Sequence, residues 1–210
     1  MKNNTTLVLM CCCTDANDKK TPEEYTKDGM SFLEKYEFDK ALKCFTIAAE
    51  QGYAEAQYQL AYCYYIGKGV KDDFKEAAKW FIKAAENDHT DAQEMLGGLY
   101  YDGWCVEENY DEAFRWCKKA AEKGRQEAQL RLGALYIEGW GVEQNAQEAI
   151  KWWTQAAEQG YTHAQCILGR CYRDGYGGIE QNKEEAAKWY KMAAEQGSED
   201  AIKALEELGI

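Results

Sequence analysis

Residues 132–142 read LGALYIEGWGV. Two glycines stand two apart behind an aromatic-rich run, a pattern that serves either a phosphate-cradling loop or the end of a helix. Sister stretches decide between the two. LAYCYYIGKGV occupies 60–70, LGGLYYDGWCV 96–106 and LGRCYRDGYGGI 168–179, at a period of 36 with one glycine inserted in the last copy. A nucleotide cradle needs one glycine loop opening one helix, with a lysine for the phosphates. Here the motif occurs four times with no G-K-[ST] beside it. Gly67, Gly103, Gly139 and Gly175 therefore read as residues just past a helix end, where glycine takes the left-handed conformation without steric cost. The second glycine, Gly141 in this copy, turns the loop, and Val142 anchors it.

Each copy continues with a tryptophan (Trp80, Trp116, Trp152, Trp189) and an alanine pair (84–85, 120–121, 156–157, 193–194). The repeat predicts two helices per copy. The first starts near Ala56, Ala92, Ala128 and Ala164, with Ala92, Leu96, Leu99 and Tyr100 on one face. The second opens on a capping box in each copy: Asp73–Glu76, Asn109–Glu112, Asn145–Glu148 and Asn182–Glu185. The constant tryptophans, alanine pairs and tyrosines 64, 100, 136 and 172 read as packing between helices, because every copy has the same neighbours.

The pattern A-x3-L-G-x2-Y-x2-G-x-G-V followed by A-x2-W-x3-A-A-x2-G resembles the Sel-1-like repeat family, a longer-looped relative of the tetratricopeptide repeat. The resemblance covers 54–200, as repeats of about 54–89, 90–125, 126–161 and 162–198. Departures are local: Ala61 for the first glycine, Cys105 for a loop glycine, and Asp88 for a terminal glycine. The resemblance implies an all-α, right-handed α-solenoid of antiparallel helix pairs. It does not extend to the secreted, cysteine-paired branch of that family, because the pair of cysteines in every repeat is missing. Residues 21–53 read as a tetratricopeptide-like helix pair without the long loop, opened by Thr21-Pro22-Glu23-Glu24. Residues 199–210 read as a capping helix and 1–20 as a tail.

Formal net charge is −12, the sequence pI is about 4.8, and no basic stripe is visible, so nucleic acid is not an expected partner. Nine cysteines include no C-x-x-C, and three are adjacent, which fits a reducing compartment better than a disulfide framework. The start, MKNNTTLVLMCCC, is far too short to span a bilayer, which takes ~20 apolar residues. It reads as a cytosolic tail, as a short lipoprotein-like leader with Cys11 as the lipidated residue, or as a palmitoylation site at Cys11–Cys13. Membrane association is expected only if those cysteines are lipidated, and a cytoplasmic location is favoured.

Positions that change between copies are the candidates for function. On the first helices, residues 94, 98 and 101 point about 180° from the packed face at ~100° per residue. In tetratricopeptide-like stacks this surface lines the concave groove. Along the chain it carries Tyr58, Tyr62 and Tyr65, then Glu94, Gly98 and Tyr101, then Leu130, Ala134 and Ile137, then Cys166, Arg170 and Arg173. An aromatic start, an apolar middle and a basic end suit a protein or peptide ligand with an acidic segment. Catalytic chemistry is thinly supported. Ser31 and Ser198 lie in no nucleophile motif, and His163 with Cys166 lacks an orienting third group. No cofactor or metal is expected. The expected function is a non-catalytic adaptor that scaffolds a complex through its groove. The alternatives are a thiol- or metal-dependent enzyme or redox protein, and a membrane-anchored surface lipoprotein adaptor or host-interaction protein.

Overall fold

The computed structural model describes residues 20–104 and 106–210. Among them are eleven α-helices. Five antiparallel pairs follow in order: α1 (Pro22–Glu34) with α2 (Phe38–Glu50), α3 (Ala54–Ile66) with α4 (Phe74–Glu86), α5 (Thr90–Asp102) with α6 (Tyr110–Glu122), α7 (Gln126–Glu138) with α8 (Ala146–Glu158), and α9 (Thr162–Asp174) with α10 (Lys183–Glu195). A last helix, α11 (Glu199–Leu208), packs on α10. The first helices start two residues before the expected alanines, because the turn into them is made by Tyr53, His89, Arg125 and Tyr161 as N-caps.

The glycine reading holds. Gly67, Gly103, Gly139 and Gly175 end α3, α5, α7 and α9 in the left-handed conformation, at φ of 65–72°. The second loop glycine answers a different need. A Cβ on Gly141 would lie 2.3 Å from the Tyr110 carbonyl oxygen at the start of α6, so the loop of one repeat sits directly on the preceding one. The insertion in the last copy forms a short 3₁₀ turn, Tyr176–Gly178.

The capping boxes are only half realised. Asp73, Asn109, Asn145 and Asn182 each accept from the backbone N–H of the glutamate three residues on. The glutamates do not return the bond; each pairs with a cation three residues further along its own helix. The N–H groups of the four caps donate instead to the carbonyls of Tyr64, Tyr100, Tyr136 and Tyr172, at 2.8–3.0 Å. This bond clamps the long loop against the helix before it. The complete box forms at Thr21–Glu24, where no long loop competes.

Within a pair, a glycine or alanine on the first helix lets a buried side chain of the second approach closely. A Cβ on Gly29, Gly97, Gly133 or Gly169 would come within 2.2–2.7 Å of Phe45, Cys117, Trp153 or Tyr190. Ala61 occupies the same slot against Phe81, and both are fully buried. Full burial of Phe45 and of Phe81 contributes about 1.5–3 kcal/mol each.

Between pairs runs a polar seam that the sequence pattern carries as a recurrent Ala-Gln. Gln57, Gln93, Gln129 and Gln165 are buried, and each Nε2 donates to the carbonyl of the residue eight before it, at 3.0–3.2 Å. Three of the four Oε1 atoms accept at 2.8 Å from Asn87, Gln159 and Gln196, the residues that end the second helix of the same pair, so each glutamine ties its own pair to the one before. A buried amide left unpaired costs ~1–3 kcal/mol, so the seam fixes the register between repeats.

Successive first helices also approach one another, as α1 does α3 and α5 does α7, whereas among the described residues no two second helices come as close. The first helices therefore follow the shorter, inner path of the solenoid. Among the described residues no helix is long and apolar enough to cross a membrane.

Candidate protein-binding surface

The position of Tyr58 in each repeat is matched to the N-cap residue of the next first helix. Tyr58 stacks on His89, with centroids 4.6 Å apart and planes at 13°. Glu94 accepts from Arg125 at 2.5 Å. Leu130, only 8% exposed, shares an apolar cluster with Tyr161. Cys166 Sγ lies 3.4 Å from Ser198 Oγ. A second set of ties runs beside these, from each N-cap back to the previous first helix: His89 to Glu55, Arg125 to Asp91 and Tyr161 to Glu127. This variation between copies is pairwise matching of neighbours.

Two expected groove residues are corrected outright. Leu130 and Ile137 do not line an open surface. Trp153 reaches under Leu130 and donates to its carbonyl at 2.9 Å, and the Gly177 turn lies so close to Ile137 that a Cβ there would sit 2.2 Å from Cδ1. Ile137 is 4% exposed. The apolar middle of the groove is thus mostly core between repeats, with half-exposed Ala134 left at its surface. The basic end is also reduced. Arg173 is bound by Asp174 at 2.7 Å and faces Glu207 at 3.4 Å, while Arg170 is exposed.

At the other end the rings form a continuous strip. Tyr58, Tyr62 and Tyr65 stack along α3 with centroids 6.3 and 6.4 Å apart. The strip continues from Tyr65 to Phe74 at 5.9 Å and from Phe74 to Trp104 at 6.4 Å. Tyr58 is half-buried, and burial pushes its hydroxyl up to about 12. Tyr62, Phe74 and Trp104 are 39%, 41% and 59% exposed. A second cluster joins Tyr101, Tyr110 and Trp140, with Tyr110 stacked on Trp140 at 4.7 Å. Phe74, Trp104, Tyr110 and Trp140 were not among the residues expected from sequence. The signal for Trp104 and Trp140 was the residue after the helix-ending glycine, which varies as Lys68, Trp104, Trp140 and Tyr176; that for Phe74 and Tyr110 was the residue after the cap, which varies as Phe74, Tyr110, Ala146 and Lys183.

The remaining chemistry is sparse. Cys63, Cys117 and Cys171 are buried, and burial pushes their thiols up to about 11, 12 and 11. His163 is exposed. Among the described residues no group of three or more His, Cys, Asp and Glu is placed to hold a metal. Cys11, Cys12, Cys13 and Cys105 lie outside the described residues.

A family model for the Sel1 repeat matches residues 31–53, 54–89, 90–124, 126–161 and 162–198. The chain belongs to the Sel1 repeat family. The crystal structure of a Sel1 repeat protein from Oxalobacter formigenes is 33% identical with a TM-score of 0.78, covering 90% of this chain and 79% of that one. The structure of c5321, a protective antigen present in uropathogenic Escherichia coli strains and displaying an SLR fold, is 29% identical with a TM-score of 0.61. That match covers 86% of this chain and 47% of the antigen, so the present chain spans about half its length. No curated protein matches the sequence. As a Sel1-repeat solenoid the chain has a protein-interaction fold, and repeats of this kind generally bind proteins.

Proposed function

We propose that this Sel1 protein is a non-catalytic adaptor that captures a protein or peptide segment on its inner face and thereby assembles a complex. The observation that carries the reading is the strip of stacked rings from Tyr62 through Tyr65 and Phe74 to Trp104, three of them more than a third exposed. Exposed contiguous apolar surface marks an interaction site, and tyrosine, tryptophan and arginine most often supply the binding energy. Arg170, exposed on α9 three repeats beyond Tyr62, is the contact for a separate, acidic end of the ligand away from the ring strip. The buried thiols, held protonated at neutral pH, support a role without thiolate chemistry.

The test is capture of partners from a lysate of the source organism with wild type and with Tyr62→Ser/Phe74→Ser/Trp104→Ser. A specific partner recovered by the wild type and lost by the variant, with helicity unchanged, is the expected result. Equal recovery by both overturns the assignment of the surface.

A further inference from the structure

Charge is segregated between the two layers in the N-terminal half of this solenoid and not in the C-terminal half, where α7 and α8 each carry −1 and α9 and α10 carry +1 and 0. In the N-terminal half, α1, α3 and α5 on the inner path carry formal charges of −3, −1 and −3, whereas α2, α4 and α6 carry 0, +1 and 0. Arg125 answers part of the inner excess by binding Asp91 at 2.9 Å and Glu94 at 2.5 Å. A further part lies toward α1, where Asp28 is paired with Lys20 at 2.5 Å. There, a depression of about 340 Å³ is lined by Met30 and Tyr53, with Glu23, Glu34 and Glu55 set against Lys27. Met30, 42% exposed, holds on α1 the register that Tyr62 holds on α3, and the depression lies between α1 and the start of α3, the helix that carries Tyr62 and Tyr65.

We propose that the segment captured by this surface is cationic, with arginine or lysine residues alternating with apolar ones. The inference rests on the adaptor reading and adds the chemistry of its ligand. Arginine suits both parts of the surface. Its guanidinium packs on the face of Tyr62 or Trp104 by cation–π attraction, and its methylene stem lies along Met30 while the charge meets the carboxylates. An acidic segment of equal apolar content meets like charge over the same helices, and such juxtaposition discriminates strongly between partners.

Three fluorescent dodecapeptides test this by anisotropy with the full chain: arginine alternating with leucine, glutamate alternating with leucine, and arginine alternating with serine. The arginine–leucine peptide is expected to bind at least tenfold more tightly than either of the others. Tyr62→Ser/Phe74→Ser/Trp104→Ser is expected to weaken it at least tenfold. Glu23→Lys/Glu34→Lys on the inner face should weaken it at least fivefold more than Glu50→Lys/Glu86→Lys on the outer helices, which changes net charge equally. Far-UV circular dichroism confirms that each variant is folded. Equal binding of the glutamate–leucine peptide, or equal weakening by inner and outer reversals, overturns the charge assignment and leaves the adaptor reading standing. If neither the peptides nor the natural partner respond to loss of the three rings, both readings fall.

Discussion

His89 Nε2 lies 3.0 Å from Glu55 Oε2, across the boundary between two helix pairs. Nδ1 of the same ring accepts from Ala92 N–H at 3.3 Å, so in the neutral ring Nε2 carries the proton and donates to the carboxylate. One imidazole thus caps α5, ties α5 to α3, and supports the ring of Tyr58.

The hydrogen bond from His89 holds the Glu55 carboxyl below its usual range, opposed by partial burial. A carboxylate with a lowered folded pKa contributes stability above its unfolded pKa, near 4.5, and loses it as pH falls through the folded value. Glu55→Gln should therefore be less stable than wild type at pH 6, by no more than about 1 kcal/mol because Glu55 is part exposed. The difference should shrink progressively as pH falls below 4.5. Urea unfolding at pH 6 and at values below 4.5 checks this; a gap that widens on acidification would contradict it.

The seam of glutamines has one fault. Gln93 Oε1 is buried without a partner, because Lys123 stands where the other repeats place Asn or Gln and instead binds Asp88 at 2.5 Å. Asp88 also holds a positive φ of 65°, which a non-glycine residue adopts at a cost. Asp88→Gly/Lys123→Gln restores the arrangement seen at Gln129 and Gln159. The hydrogen bond and the relieved backbone should outweigh the lost surface ion pair, leaving the variant about 1 kcal/mol more stable. A lower urea midpoint would show that the seam does not act as described.

Much of the fold was legible because four copies of one unit repeat the same answer. The helix ends, the packed tryptophans and the small slots against buried side chains all recur in place. The seam was missed because a recurrent glutamine on an apolar face reads as noise until its two hydrogen bonds are seen. The surface was harder. Variation between copies was read as freedom for function, yet Tyr58 with His89, Glu94 with Arg125, and Leu130 with Tyr161 vary together as packing partners. A single sequence shows this only when residues about 31 apart are compared as pairs. Tyr62 and Arg170 remain exposed from the original row, and the loop aromatics that extend it sit in a turn that was read for its glycines alone.

Gly133 tests the slot rule. A Cβ there would lie 2.2 Å from Trp153 Nε1, which is engaged with the Leu130 carbonyl. Gly133→Ala should destabilise by about 1–3 kcal/mol through overpacking, despite the better helix propensity of alanine. Stability equal to or above wild type in urea would mean that Trp153 moves freely and the slot is not tight.

The buried thiols should be silent in the folded chain. At pH 8, Cys63, Cys117 and Cys171 are protonated and enclosed, so a disulfide reagent should leave them unmodified until denaturant is added. Peptide mass mapping after timed labelling identifies the reacted sites. Rapid labelling of any of the three in the native state would reopen thiol chemistry as a function.

The central claim is that the ring strip on the inner face holds a protein partner. Its most direct measurement is the affinity of the captured natural partner, by titration calorimetry, for wild type and for Tyr62→Ser/Phe74→Ser/Trp104→Ser. Loss of at least ~2 kcal/mol of binding, about thirtyfold, is predicted for removal of a hot-spot cluster. Unchanged affinity in a folded variant would contradict the account.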